Sequence, residues 1–164
     1  MSVKRILLVE DSVNDVKLTT AALRAAGLAN EIIVCRDGVE ACDYLFRRGV
    51  HAERADETYP AVVLLDLKMP RMDGLEVLKT VRADERFRTL PIVMITSSAE
   101  EQDMIKSYNL GVNGYVVKPV THDEFLQAIR EVGLFWAVVN QPPPQLAPTG
   151  RPDPLKADAG AGQA

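Results

Sequence analysis

The sequence has little cysteine, few aromatic residues and no long apolar run. Its two cysteines, Cys35 and Cys42, are not accompanied by further cysteine or histidine pairs at zinc-like spacing. This argues against a disulfide framework or a zinc site and favours a reducing compartment. Lys4 and Arg5 precede an apolar run at residues 6–9, but the run is too short for a secretory signal or a transmembrane helix. We therefore expect a cytoplasmic protein without a membrane segment.

An excess of basic residues is also missing. The 164 residues contain 19 Lys and Arg against 23 Asp and Glu, a formal net charge of -4. This charge repels a polyanion, and the sequence offers no basic cluster interleaved with aromatic residues to overcome the repulsion locally. We predict no direct binding to nucleic acid.

What the sequence does contain is an alternation of short apolar, β-branched runs with amphipathic helical stretches. This pattern is typical of parallel strands joined by crossover helices. The predicted strands are residues 6–9, 31–34, 61–65, 92–95 and 115–117. The predicted helices are 12–26 with Ser12 as the N-cap, 38–48, one from residue 74, 99–108, and one that begins after Thr121 as the N-cap and ends near residue 140. We expect an α/β fold with an open, doubly wound parallel sheet.

Two segments fall outside this alternation. Residues 49–59 are charged, lack helical periodicity and are predicted to form an exposed connection. Six of the ten prolines lie after residue 140, so we expect a domain over residues 1–140 and a disordered or extended proline-rich tail over 141–164. The fourth predicted helix has only a thin apolar stripe, formed by Met104, Ile105 and Tyr108.

Polar residues stand where four of the predicted strands end. Glu10 and Asp11 follow the first strand, Asp66 the third, Thr96 the fourth and Lys118 the fifth. The carboxyl ends of parallel strands share one edge of a sheet, so these side chains should converge. Three carboxylates gathered there would repel one another unless a cation or the lysine ammonium shared the space. An all-oxygen ligand set favours a hard ion, and Mg²⁺ fits best.

Such a site suits phosphoryl transfer. An aspartate can attack phosphorus, while the metal and the lysine neutralise charge and the threonine hydroxyl bonds a phosphoryl oxygen. Asp66 is the best nucleophile because it ends a strand and projects into the crevice, whereas Glu10 and Asp11 form an adjacent pair suited to a metal. Each residue alone has an ordinary interpretation as a helix cap, a turn residue or a solvated lysine. Their joint occurrence favours the functional interpretation.

These motifs resemble the receiver domains of two-component response regulators. The matching segments are residues 7–11, 64–66, 69–70, 72–74, 95–96 and 115–119, and the resemblance runs from about Val3 to Asn140. It implies a flavodoxin-like, five-stranded sheet in the order 2-1-3-4-5 with five helices. It also implies a phosphoacceptor with weak autophosphatase activity, and not an enzyme that turns over a substrate.

The resemblance implies a ligand set as well. Asp66 would receive the phosphoryl group from a sensor histidine kinase. Mg²⁺ would be held by Asp11, Asp66 and the backbone carbonyl of Lys68, with Glu10 contacting it through water. In similar proteins the peptide before the proline that matches Pro119 is cis.

A switch is implied too. Lys118 would pair with the acyl phosphate, the Thr96 hydroxyl would move toward the phosphate, and the Tyr115 ring would turn inward behind it. The alternative for Tyr115 is a static, half-buried ring. Lys68 and Ser98 stand at the positions that tune dephosphorylation in similar proteins, and neither can orient an attacking water well, so we predict a long-lived phosphoryl group.

The last predicted helix carries an uninterrupted apolar run at residues 134–139, part of which must face away from the core if it is helical. We expect a homodimer through the fourth helix, fifth strand and fifth helix, although the helix end could instead fold under the tail. This ending and the absence of an output domain in the sequence resemble the small response regulators paired with bacterial phytochromes. The kinase could then be a bacteriophytochrome.

Two rival functions stay open. One is a phosphohydrolase that forms an aspartyl-phosphate, although such enzymes generally carry a second carboxylate two positions after the nucleophile, where this sequence has Lys68. The other is a degenerate receiver that acts only as a binding module.

Overall fold

Five parallel strands form one sheet in the computed structural model, which describes residues 4–53, 59–141 and 143. The strands are β1 (Ile6–Val9), β2 (Ile32–Cys35), β3 (Val62–Leu65), β4 (Ile92–Thr96) and β5 (Gly114–Val117). Their order is β2-β1-β3-β4-β5, which confirms the predicted doubly wound sheet. The order changes direction between β1 and β3, and such a switch point opens a crevice at the carboxyl ends of the strands.

Helices cover both faces of the sheet. They are α1 (Val13–Ala25), α2 (Gly38–Phe46), α3 (Gly74–Ala83), α4 (Glu101–Asn109) and α5 (His122–Leu134). A π-helical segment, Phe135–Val139, continues α5. The predicted caps are present, because the Ser12 and Thr121 side chains accept hydrogen bonds from backbone N–H groups in the first turns of α1 and α5. None of the described helices is long and apolar enough to cross a membrane.

The core consists of two apolar layers separated by the sheet. Leu7 and Val9 of β1 pack into the layer under α2 and α3, and Ile6 and Leu8 pack into the layer under α1 and α5. All four are buried, which explains why the strand is apolar at every position instead of alternating. The apolar runs of β1, β3 and β4 are therefore central strands covered on both faces, whereas β2 and β5 are edge strands and are only partly buried.

The thin apolar stripe of the fourth helix lies largely on its exposed face. Ile105 and Tyr108 are 46% and 51% exposed, whereas Ser107 is fully buried. The Ser107 hydroxyl donates to the Asp103 carbonyl at 2.8 Å, so a polar side chain can lie inside without an unsatisfied group. The apolar stripe of α4 faces outward.

Smaller differences concern boundaries and one peptide bond. β2 and α4 begin one and two residues later than predicted. The peptide before Pro119 is trans, because none of the described peptide bonds is cis, so that implied expectation was wrong. Residues 49–51 form a 3₁₀ turn in the predicted connection, and 54–58 lie outside the described residues. The predicted tail also lies outside them, apart from residues 141 and 143.

Gly74 lets α3 approach the end of β3. A Cβ at this position would lie 2.3 Å from the Asp66 carbonyl oxygen and 2.9 Å from the Leu67 Cα, both backbone atoms that cannot move aside cheaply. The Gly74 N–H also donates to the Leu67 carbonyl at 2.7 Å. The start of α3 thus holds the backbone of Asp66 in place.

We expect Gly74→Ala to lower the free energy of unfolding by about 2 kcal/mol, since the added methyl group forces the backbone apart. Urea denaturation measures the effect. Gly114→Ala is the matched control, because its nearest neighbouring atom lies 3.6 Å away, an ordinary contact. Equal stabilities for the two variants would contradict this account of Gly74.

Candidate functional site

Three carboxylates meet at the carboxyl ends of β1 and β3. Val9 and Leu65 are register partners, so Glu10 and Asp66 follow adjacent strands at the same level. The Asp66 N–H donates to the Val9 carbonyl at 3.0 Å, which extends the ladder to the site. One carboxylate oxygen from each of Glu10, Asp11 and Asp66 lies within 4.8 Å of the others. The sheet register therefore gathers the acids as predicted.

The two inner carboxylates are buried and oriented by backbone donors. Glu10 Oε1 accepts from the Ser12 N–H at 3.1 Å, and Asp66 Oδ1 accepts from the Leu67 N–H at 2.8 Å. Glu10 and Asp66 are buried, whereas Asp11 is exposed. The oxygens not engaged by the backbone face a common space and need a positive partner there.

Lys118 supplies one positive charge. The backbone N–H of Lys118 donates to the Thr96 carbonyl at 2.7 Å, and this bond fixes Lys118 directly after β5. Its Nζ donates to Glu10 Oε2 and Asp15 Oδ2, both at 2.7 Å, and to Asp66 Oδ2 at 3.4 Å. The ends of β1, β3 and β5 and the start of α1 therefore share one charged cluster, which a backbone bond ties to the end of β4.

Asp15 was missed in the sequence analysis. It lies in the first turn of α1, where acidic residues are common for helix-capping reasons alone. The signal that could have found it is position, because α1 begins directly after the acidic pair and its first turn must lie over the same edge of the sheet.

Burial shifts the protonation of Glu10 and Lys118 in ways that depend on the cluster. Burial, reinforced by the nearby Asp66, raises the pKa of Glu10 to about 7, although Lys118 and the Ser12 N–H oppose the shift. For Lys118, burial lowers the pKa, but hydrogen bonds to Asp15 and Glu10 outweigh it and raise the pKa overall. The ammonium therefore stays charged, while Glu10 titrates near neutrality.

The donor set fits a hard divalent cation. Glu10, Asp11 and Asp66 offer oxygen ligands only, and two of them are already held by backbone hydrogen bonds. Carboxylate oxygens are the ligands that Mg²⁺ and Mn²⁺ take in proteins. Lys68 lies in the adjoining loop with its side chain exposed and its Nζ 4.0 Å from Glu100, so its ammonium is directed to the loop before α4.

Thr96 and Tyr115 are joined through one serine. The buried Thr96 Oγ1 accepts from the Ser98 N–H at 3.1 Å, and the Tyr115 hydroxyl donates to the Ser98 carbonyl at 2.9 Å. The Ser98 hydroxyl donates to Asp103 in α4 at 2.7 Å. The Tyr115 ring is half-buried against the core, and this burial raises the pKa of its phenol. The loop after β4 thus connects β4, β5 and α4.

Comparison with known proteins decides the family. The response regulator receiver domain family matches residues 6–130 of this chain. The chain belongs to the response regulator receiver family. Response regulator Rcp1 of Synechocystis is 35% identical to this receiver over 133 residues, which cover 81% of the chain and 88% of Rcp1.

Two solved structures resemble this receiver closely. The bacteriophytochrome response regulator RtBRR is 55% identical, with a TM-score of 0.69, covering 88% of this chain and 86% of its own. The Mn²⁺-bound form of Rcp1 is 34% identical, with a TM-score of 0.79, covering 85% of this chain and 99% of its own. The predicted family and the resemblance to phytochrome-linked relatives are confirmed.

The raised pKa of Glu10 makes the stability of this receiver depend on pH when no divalent cation is bound. Folding raises this pKa from 4.5 to about 7, so the protonated form is favoured by the folded state. The resulting stabilisation is full below about pH 4.5 and is lost as the pH rises through about 7. In a chelator, the free energy of unfolding of this receiver should therefore fall over this range, on the order of 3 kcal/mol.

Urea denaturation at several pH values measures this slope. Glu10→Gln should flatten it, because the replacement does not titrate, and saturating Mg²⁺ should reduce it, because a cation favours ionised Glu10. A slope that is the same in Glu10→Gln as in the wild type would assign the effect to another group.

Proposed function

We propose that this receiver accepts a phosphoryl group on Asp66 from a sensor histidine kinase, in a Mg²⁺-dependent reaction, and relays the change to protein partners. The observation that carries the proposal is the cluster at the sheet edge. A buried aspartate lies among further carboxylates beside an ammonium held at hydrogen-bonding distance. Family membership supports the phosphoacceptor role.

Each residue has a chemical part in this proposal. The carboxylate of Asp66 attacks phosphorus, forming an O–P bond as the P–N bond to the kinase imidazole breaks and its electron pair returns to that ring. Lys118 neutralises charge on the transferred group, and the Thr96 hydroxyl bonds one of its oxygens. A bound Mg²⁺ would neutralise the remaining phosphoryl charge. Asp11, Asp66 and the Lys68 carbonyl would hold the ion directly, and Glu10 would hold it through water.

The proposed switch runs through Ser98. The Thr96 hydroxyl can leave the Ser98 N–H for a phosphoryl oxygen, which changes the loop that also holds the Tyr115 hydroxyl. Because the Ser98 hydroxyl is bonded to Asp103, a shift of this loop pulls on the first turn of α4. The change in charge at Asp66 then reaches the surface formed by α4 and β5.

The kinase partner is proposed from the relatives. RtBRR is described as a bacteriophytochrome response regulator, and Rcp1 resembles this receiver over most of both chains. We infer a bacteriophytochrome as the kinase, a cytoplasmic location and no nucleic-acid partner, consistent with the net charge of -4. The division into a domain at 1–140 and a tail at 141–164 stays a prediction.

Incubation with acetyl phosphate and Mg²⁺ should give a single phosphoryl adduct by intact mass, and Asp66→Asn should abolish it, since an amide is not a nucleophile here. Asp123→Asn is the matched control, because Asp123 is exposed in the first turn of α5. No adduct on the wild type with acetyl phosphate or a kinase would favour a binding module. Turnover of a small phosphate ester by the wild type would instead favour the phosphohydrolase function.

The same time course reports the lifetime of the phosphoryl group. The Ser98 hydroxyl is already engaged with Asp103, and the Lys68 side chain is directed toward Glu100, so neither is placed to activate water. The adduct should persist for more than about a minute after the donor is removed. A half-life of seconds would refute this part of the proposal.

We also propose a homodimer through α4, β5 and the end of α5. Phe135, Val138 and Val139 are 49%, 52% and 64% exposed, and the outward side chains Ile105 and Tyr108 of α4 add to the exposed apolar residues. Apolar side chains exposed in such number mark partner surfaces. A second copy would bury them.

We expect sedimentation velocity at micromolar concentration to show a dimer that Val138→Asp shifts to monomer, because a charge cannot be buried in an apolar interface without cost. Val50→Asp is the control, since Val50 is exposed in the 3₁₀ turn Gly49–His51. A wild type that is monomeric both with and without phosphorylation would overturn the dimer.

A further inference from the structure

Asp15 competes with Asp66 for the ammonium of Lys118. The Asp15 Oδ2 accepts from Lys118 Nζ at 2.7 Å, whereas the Asp66 Oδ2 lies at 3.4 Å from the same nitrogen. The Lys118 side chain is 11% exposed and that of Asp15 is 31% exposed, so the pair is partly shielded from water. The ammonium is therefore held between Asp15 and Glu10, and further from Asp66.

We propose that Asp15 is a positioning residue that draws the Lys118 ammonium away from Asp66 and so keeps the Asp66 carboxylate open to a divalent cation. The proposal rests on the cation-dependent function of this site. It assigns to Asp15 a part that neither the family motif nor the predicted ligand set contains.

The Lys118 ammonium has three protons to donate, and three carboxylates accept from it. Charge-assisted hydrogen bonds between ammonium and carboxylate groups are short, and two of the three contacts of Lys118 have such lengths. The third, to Asp66, is long. Without the negative charge of Asp15, the ammonium would gain most by moving toward Asp66, the other carboxylate already beside it.

A close pair between Lys118 and Asp66 would oppose cation binding. Asp66 Oδ1 already accepts from the Leu67 N–H, so Oδ2 has more free capacity to bind a metal ion. It is also the oxygen that faces Lys118. An ammonium bonded tightly to it would have to be displaced before a cation could bind, which lowers the affinity.

α1 makes Asp15 a fixed counter-charge. The Asp15 N–H donates to the Ser12 hydroxyl at 3.3 Å, which sets the first turn. Further along, α1 is anchored because Thr19, Ala22 and Leu23 are buried against the sheet. The carboxylate therefore cannot follow the ammonium far if Lys118 moves toward Asp66.

Isothermal titration of the full chain with Mn²⁺ and with Mg²⁺ tests the proposal. Asp15→Asn keeps the size and a hydrogen-bond acceptor but removes the charge, and we expect roughly five-fold weaker cation binding. In a Lys118→Met background, where no ammonium can move, the same change should weaken binding by no more than about two-fold, the direct effect of the lost charge.

Glu124→Gln is the matched control. Glu124 stands three residues after the Thr121 cap of α5, as Asp15 stands three residues after the Ser12 cap of α1, and its N–H is bonded to that cap in the same way. The control removes the same first-turn charge from a helix and should leave cation affinity unchanged.

Equal losses from Asp15→Asn with and without Lys118 would overturn the proposal, because the effect would then be simple charge removal. If the Lys118→Met variant does not fold, the crystal structure of the cation-free Asp15→Asn variant tests whether the ammonium moves toward Asp66. The distance from Lys118 Nζ to Asp66 Oδ2 should fall below 3.4 Å, and an unchanged distance refutes the inference. A wild type that binds no divalent cation would instead refute the proposed function.

Discussion

The site depends on one ammonium placed among several carboxylates. Buried acids at the end of a sheet are costly, and attraction to a single lysine offsets only part of that cost. The remaining negative charge favours a divalent cation as a further positive partner. The short contacts of Lys118 to Glu10 and Asp15, and the longer one to Asp66, describe a lysine shared unequally between partners. Its position therefore affects every other group in the cluster.

The fold fixes this cluster through backbone contacts more than through side chains. Asp66 is held by the sheet ladder, by the Leu67 N–H and by the close approach of α3 at Gly74. The loop between β3 and α3 is tied in turn to the start of α2, since the Arg71 guanidinium pairs with Asp37. The carboxylate of Asp66 is therefore positioned by the backbones of three neighbouring elements.

The sheet and most of the cluster could be predicted from sequence, and the reasons are physical. Strands covered on both faces are apolar at every position, and parallel strands bring their carboxyl ends together, so Asp66 and Lys118 could be paired without coordinates. The buried face of α4 could not, because it contains Ser107, which satisfies its own hydroxyl. The position of Asp15 places it near the same edge, but its contact with Lys118 follows only once β5 is placed, about a hundred residues later in the chain.

The connection between α2 and β3 begins and ends at the same end of the sheet, opposite the carboxylate cluster. α2 ends at Phe46 and β3 begins at Val62, both at the side remote from Asp66. Lengthening or shortening this stretch changes neither the register of β1 with β3 nor the start of α3. A recognition segment of a different length could therefore be inserted here without moving the carboxylate cluster at the opposite ends of β1 and β3.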